Sequence, residues 1–106
     1  KSSGRRRPFP RERTSFLVKY QTKLNKRKDF VKEVISSGVL EEIRQEDGCI
    51  SYDYYYDAVN PACVLLVEQW QSKGQQQQHL RSEHMHILKE IKEKYVLDTS
   101  VREISV

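Results

Sequence analysis

From Ser15 to Lys23 the chain alternates. Phe16, Val18, Tyr20 and Thr22 fall on one face, and Leu17, Lys19 and Gln21 on the other. A period of two predicts a strand. Asn25 stands where a helix N-cap is expected. From Lys26 to Glu46 the period becomes helical, with Phe30, Val31, Val34, Ile35, Val39 and Ile43 in one stripe and Leu40 at its edge. Ser36-Ser37-Gly38 weakens that helix locally. Gly48 is placed to end it in a left-handed conformation. Alternation then returns over Cys49 to Asp57: Ile50, Tyr52, Tyr54 and Tyr56 share one face, and Ser51, Asp53 and Tyr55 the other. Asp57 to Pro61 reads as a turn. Ala62 to Gln71 is a third strand, apolar on both faces through Val64 to Val67, and therefore central. Ser72-x-x-Gln75 is a capping-box pattern that opens a second helical segment. Ser82 is positioned to cap a fresh helix from Glu83 to Lys94, with Met85, Leu88 and Ile91 inward. Val96 to Val106 is the fourth strand.

The order β-α-β-β-α-β is the split βαβ, or ferredoxin-like, α+β arrangement. It predicts one antiparallel sheet with helices on one face. The other face is left bare, and its Tyr and aliphatic residues predict a homodimer formed sheet to sheet.

Charge divides the chain. Residues 1–13 hold six basic residues (Lys1, Arg5, Arg6, Arg7, Arg11, Arg13) against Glu12, so all of the net charge of +4 and more sits there. The rest is near neutral. We expect a disordered basic tail over 1–13 and one domain over 14–106. No apolar run approaches the ~20 residues of a membrane span, and the basic start lacks the hydrophobic segment of a secretory signal. Cys49 and Cys63 have no zinc or redox spacing, which points to reduced thiols and a cytoplasmic setting. Nucleic acid is not an expected partner: the third strand carries Val64-Leu65-Leu66-Val67 where an RNA-recognition module places a stacking ring, and no Gly-rich phosphate loop exists.

The chemistry-bearing residues lie between Glu46 and His86. Glu68-x-Trp70 closes an apolar strand. A desolvated Glu68 would have a raised pKa and act as a base or hydrogen-bond acceptor; paired with Arg44 or Lys19 it would be a structural ion pair. Trp70 offers a stacking wall or a plain core side chain. Tyr52 can orient a substrate oxygen, or serve packing and dimer contact as expected for most of the tyrosines. His79 can take a proton as a neutral imidazole near pH 7, or be a surface histidine. Ser82 and His84 serve the start of the helix, with His84 a further substrate contact. On one continuous helix His79 and His86 would share a face and His84 would point elsewhere. No pair has the i, i+4 spacing of a helical zinc site, so no metal is expected.

Glu46-Asp-Gly48-Cys49-Ile-Ser-Tyr52, then Asn60-Pro61, Glu68-x-Trp70 and His79-x-x-Ser82-x-His84, resembles the antibiotic biosynthesis monooxygenase domain over roughly residues 14–106. The resemblance implies a dimeric ferredoxin-like α/β barrel with a pocket between sheet and helices, and puts His79 at the family's pocket histidine. Family members include oxygenases that attack polycyclic phenols without metal or flavin, haem-degrading enzymes, and an isomerase that processes autoinducer-2. The haem-degrading branch has a histidine ten residues beyond its tryptophan and an asparagine in strand one. Here the tenth residue is Leu80 and no Asn precedes Asn25. The expectation is thus a cofactor-independent monooxygenase of a quinol or polycyclic phenol, with His79 or Glu68 as base. Trp70, Tyr52 and His84 would contact a small aromatic substrate. The alternatives are an isomerase of a small phosphorylated keto compound, with Lys19 and Arg81 as phosphate clamp, and a non-enzymatic dimeric module that binds a small ligand.

Overall fold

The computed structural model describes residues 13–104. In chain order the elements are β1 (Thr14–Thr22), α1 (Arg27–Ser36), α2 (Val39–Arg44), β2 (Cys49–Tyr56), β3 (Cys63–Trp70), α3 (Lys73–Leu80), α4 (Met85–Tyr95) and β4 (Val96–Ile104). The four strands form one sheet in the order β2-β3-β1-β4, with antiparallel pairing throughout. This is the expected ferredoxin-like α+β fold, with β3 in the interior of the sheet. The basic tail expected over 1–13 lies outside the described residues except for Arg13, as do the last two residues of the expected fourth strand. Among the described residues, no helix is long and apolar enough to cross a membrane.

The period of two in β1 and β3 decides which side is core. Phe16, Val18, Tyr20, Val64, Leu66 and Trp70 are buried against Phe30, Val34, Val39, Leu40, Ile43, Leu88 and Ile91 of the helices. On the opposite face of the sheet Leu17, Leu65 and Val67 are half-buried, and Lys19 and Tyr55 are exposed. Tyr20, Tyr52 and Tyr54 join the helix side, so that opposite face is less aromatic than the sequence suggested.

Four local expectations are corrected. Asn25 does not cap a helix: it sits in a turn at φ 62°, a conformation Asn tolerates. The cap position falls to Lys26, whose side chain makes no capping bond. The single helix over 26–46 is two. Gly38 at φ 86° breaks it, and the Ser37 hydroxyl accepts from the Val39 N–H at 3.2 Å. Ile35, within α1 and before the break, lies off the face that buries Phe30 and Val34 and is 57% exposed. Ser82 does not cap α4, which begins at Met85 with no side-chain cap; its hydroxyl donates to Glu46 at 3.3 Å instead. Gly48 takes the expected left-handed conformation at φ 87° but does not end the helix: α2 stops at Arg44 with a right-handed Gln45, and Gly48 turns the chain into β2. The Ser72 signal holds: its hydroxyl accepts from the Gln75 N–H to cap α3. A bulge at the start of β2 skips Ile50, which is exposed, and leaves Tyr52 facing the core opposite Glu68.

Candidate active site

Glu68 and Trp70 are two residues apart on β3, so both point toward the helices. Trp70 is fully buried and Glu68 nearly so. The indole Nε1–H donates to Glu68 Oε1 at 2.7 Å. Neither structural ion pair considered for Glu68 forms: Arg44 pairs with Asp53 at 2.9 Å, and Lys19 is exposed on the other face of the sheet. Desolvation therefore dominates. It pushes the Glu68 carboxyl above the usual carboxylate value, against the pull of the Trp70 hydrogen bond, His79 and Lys92. Lys92, half-buried and 5.7 Å from the Tyr20 ring centre, is pushed down by the same desolvation, against the opposing charge of Glu68.

His79 enters from α3. Ser72 fixes the start of that helix, and Gln76 and His79, three residues apart, are its buried residues. The imidazole is fully buried. Its ring centre lies 4.7 Å from that of Trp70 at an interplanar angle of 35°, and 5.5 Å from that of Tyr52 at 64°. Nδ1 is 2.9 Å from Glu46 Oε2. Nε2 is buried and has no hydrogen-bond partner among the described residues, and the same holds for the hydroxyl of Tyr54. Burial pushes the phenols of Tyr20, Tyr52 and Tyr54 upward, so all three stay protonated at neutral pH.

Glu46 organises the outer half of the cluster. It follows α2, two residues before Gly48, and the left-handed turn there carries the chain into β2. The backbone of that turn is tied down where Gln71 N–H donates to Gly48 C=O at 2.8 Å. The same Oε2 that meets His79 also meets His84 Nε2, at 2.6 Å. A carboxylate only accepts. With neutral rings, both facing nitrogens must carry their protons, so His79 Nε2 is left with a bare lone pair. The site is thus a carboxylate–imidazole pair whose ring packs against Trp70 and Tyr52 and whose Nε2 is buried without a partner among the described residues.

The residues expected at the site part into two groups. His79, Glu68, Trp70 and Tyr52 come together. His84 does not join them; it lies on the far side of Glu46, in the interruption between α3, which ends at Leu80, and α4, which begins at Met85 and not at the expected Glu83. That interruption also brings His84 back toward His79 and leaves His86 exposed. Nδ1 or Nε2 of the two histidines and a Glu46 oxygen consequently lie within 4.8 Å of one another, a grouping that spacing on a continuous helix did not predict. The pocket expected around His79 is filled by the rings themselves. A hollow of about 470 Å³ opens instead outside Glu46, lined by Glu46, Asp47, Gln75, Gln78, Arg81 and Ser82. Lys19 and Arg81 do not form a clamp, since Lys19 is on the uncovered sheet face and Arg81 on this rim. Glu46 is the residue sequence reasoning passed over, reading it as part of a helix stop. It lies past the end of α2 at Arg44, and its role is set by contacts from α3 and the link after it, not by the local sequence.

Comparison with known proteins agrees with this architecture. Residues 16–90 match the family model described as antibiotic biosynthesis monooxygenase. The chain is similar to an uncharacterised Synechocystis protein, sll1783, at 29% identity over 66 residues, which is 62% of this chain and only 44% of that protein. Among solved structures it is similar to a conserved protein of Methanosarcina mazei Go1, with a TM-score of 0.77 and 25% identity over 90% of this chain and 93% of that one. PA3566 of Pseudomonas aeruginosa shares the fold with a TM-score of 0.79 and 15% identity, over 93% of this chain and 98% of that one. A solved structure named antibiotic biosynthesis monooxygenase shares it too, with a TM-score of 0.74 and 19% identity, over 88% and 97%. By the match of the family model over most of its length, the chain belongs to the antibiotic biosynthesis monooxygenase family.

Proposed function

We propose that this protein is a cofactor-independent monooxygenase of a quinol or polycyclic phenol. The observation that carries the reading is the buried, unpartnered Nε2 of His79, with Nδ1 2.9 Å from Glu46 Oε2. Nε2 takes the phenolic proton. The resulting phenolate passes one electron to O₂, and the semiquinone and superoxide combine to a ring hydroperoxide. Loss of water leaves one oxygen atom in the product, so a hydroquinone and O₂ give a hydroxyquinone and H₂O. Trp70 and Tyr52 supply the flat walls, and exclusion of bulk water keeps the radical pair together. Glu68 holds the indole in place and is a second acceptor in reach of the walls.

Access to Nε2 requires the Trp70 and Tyr52 rings that now pack on the imidazole to part from it, since His79 itself rides on α3. The reading includes a cytoplasmic homodimer joined through the uncovered sheet face. Half-buried Leu17, Leu65 and Val67 and exposed Tyr55 favour the dimer, and two free cysteines favour a reducing compartment. Sedimentation that found only monomer at micromolar concentration would remove the dimer.

The test is oxygen uptake with hydroquinones in the presence of a chelator and without flavin. We expect uptake matched to substrate consumed, and a fall of about 10²–10⁴-fold in His79→Ala. Uptake that needs added flavin or metal would refute the mechanism. A substrate that melts the protein no differently and is never turned over would favour the non-enzymatic ligand-binding module.

A further inference from the structure

Glu46, His79 and His84 do more than hold one ring. We infer that these three side chains form a binding site for a divalent transition metal of the zinc class, reached from the hollow outside Glu46. The donor set is two imidazoles and a carboxylate, which suits zinc, cobalt, nickel or copper and not calcium or magnesium. The donors come from three separate segments: the end of α2, the last turn of α3 and the link into α4. They already converge, with their ligand atoms inside 4.8 Å of one another.

The geometry needs a small adjustment. Ligands about 2.0–2.1 Å from a tetrahedral ion sit about 3.4 Å apart. The present separations from Glu46 Oε2 are 2.9 Å to His79 Nδ1 and 2.6 Å to His84 Nε2, so the set has to open by roughly 0.5–1 Å. His84 and Glu46 keep 16% and 13% of their side chains exposed, which leaves room to move. The hollow lined by Glu46, Gln78 and Ser82 gives an ion its entry path and a water its place as fourth ligand. The ion replaces two N–H protons that now converge on one oxygen.

Occupancy has a consequence that rests on the function proposed above. A metal on Nδ1 of a neutral His79 moves the ring proton to Nε2. The buried nitrogen that has no partner then donates and no longer accepts, so metal binding closes the base. The site is inhibitory with respect to that reaction.

The probe is cobalt. Untagged, chelator-treated protein is titrated with CoCl₂, and the visible d–d absorption is followed. One equivalent bound with the intense bands of a four-coordinate ion is expected, displaced by zinc. His84→Ala and Glu46→Gln should each weaken cobalt binding by about 10–100-fold or more, with folding checked by circular dichroism. His86→Ala, outside the set, should leave it unchanged. Absence of stoichiometric cobalt binding would overturn the inference, and so would bands that persist undiminished in both folded variants. The spectrum decides the metal site whether or not any quinol is turned over. Inhibition of oxygen uptake by zinc, read separately on active protein, tests the consequence for His79.

Discussion

Replacing Trp70 by Phe removes the indole N–H that donates to the Glu68 carboxylate. Trp70 is fully buried, so trimming indole to phenyl leaves a small void at a cost of about 1–2 kcal/mol. The lost N–H···O⁻ bond adds about 1.5–3 kcal/mol while the carboxyl is ionised. The expected loss is therefore about 3–5 kcal/mol in mildly alkaline solution. The pH dependence is the sharper signature. Glu68 titrates above its ordinary value in the folded protein because burial disfavours its charge. The folded state thus binds the proton more tightly than the unfolded chain, and Glu68 lowers stability as pH rises from the unfolded value through the folded one. Trp70→Phe removes a group that opposes this shift, so it raises the folded value further and deepens the loss at high pH. Below the folded value the carboxyl is protonated, and the penalty should shrink by about 1–1.5 kcal/mol, the difference between a charged and a neutral hydrogen bond. Urea unfolding of both proteins over a series from acid to mildly alkaline pH measures the difference. Adding Glu68→Gln to the Trp70→Phe variant should abolish the pH dependence of the penalty. A penalty that is constant with pH, or larger at acid pH, would refute the argument that the indole stabilises a buried charge.

Two other outcomes follow from the turn and strand beside the site. Gly48→Ala places a Cβ at φ 87°, 2.3 Å from the Gln75 side chain; it should cost about 1–3 kcal/mol, seen as a lower urea midpoint with an unchanged slope. The Cys49 thiol is pushed up to about 11 by burial and by the nearby Glu46 charge. Iodoacetamide at about pH 8 should therefore label it on the order of a hundredfold more slowly than a free thiol, with full labelling in urea; rapid labelling of the folded protein would contradict its placement.

The strands were legible because a period of two leaves little freedom: Phe16, Val18 and Tyr20 could only be core if Leu17 and Lys19 were not. Gly48 and Ser72 were legible because each satisfies a local backbone need within a few residues. What escaped was decided over longer range. Asn25 and Ser82 carry side chains that can cap a helix, yet the first is taken by a turn and the second by a carboxylate 36 residues away in sequence. Ser36-Ser37-Gly38 looked like a weak point and is a full break between α1 and α2. Within the site, Glu68-x-Trp70 and His79 were found by residue type and spacing. Glu46 was not, since nothing local says that the acid at a helix end will be the acceptor for two histidines. The same loss of continuity hid His84's position: periodicity extrapolated through 81–84 points it away from a residue it actually lies beside.

The chemistry proposed for the site stands or falls with one tautomer of the neutral His79 ring, the one with its proton on Nδ1 toward Glu46 and none on the buried Nε2. A long-range ¹H–¹⁵N spectrum of chelator-treated protein, with the His79 signals assigned by their loss in His79→Ala, reads it directly. For the neutral ring we expect a protonated Nδ1 and an unprotonated Nε2, with the two tautomers mixing in Glu46→Ala. A proton found on Nε2 of the native protein would contradict it.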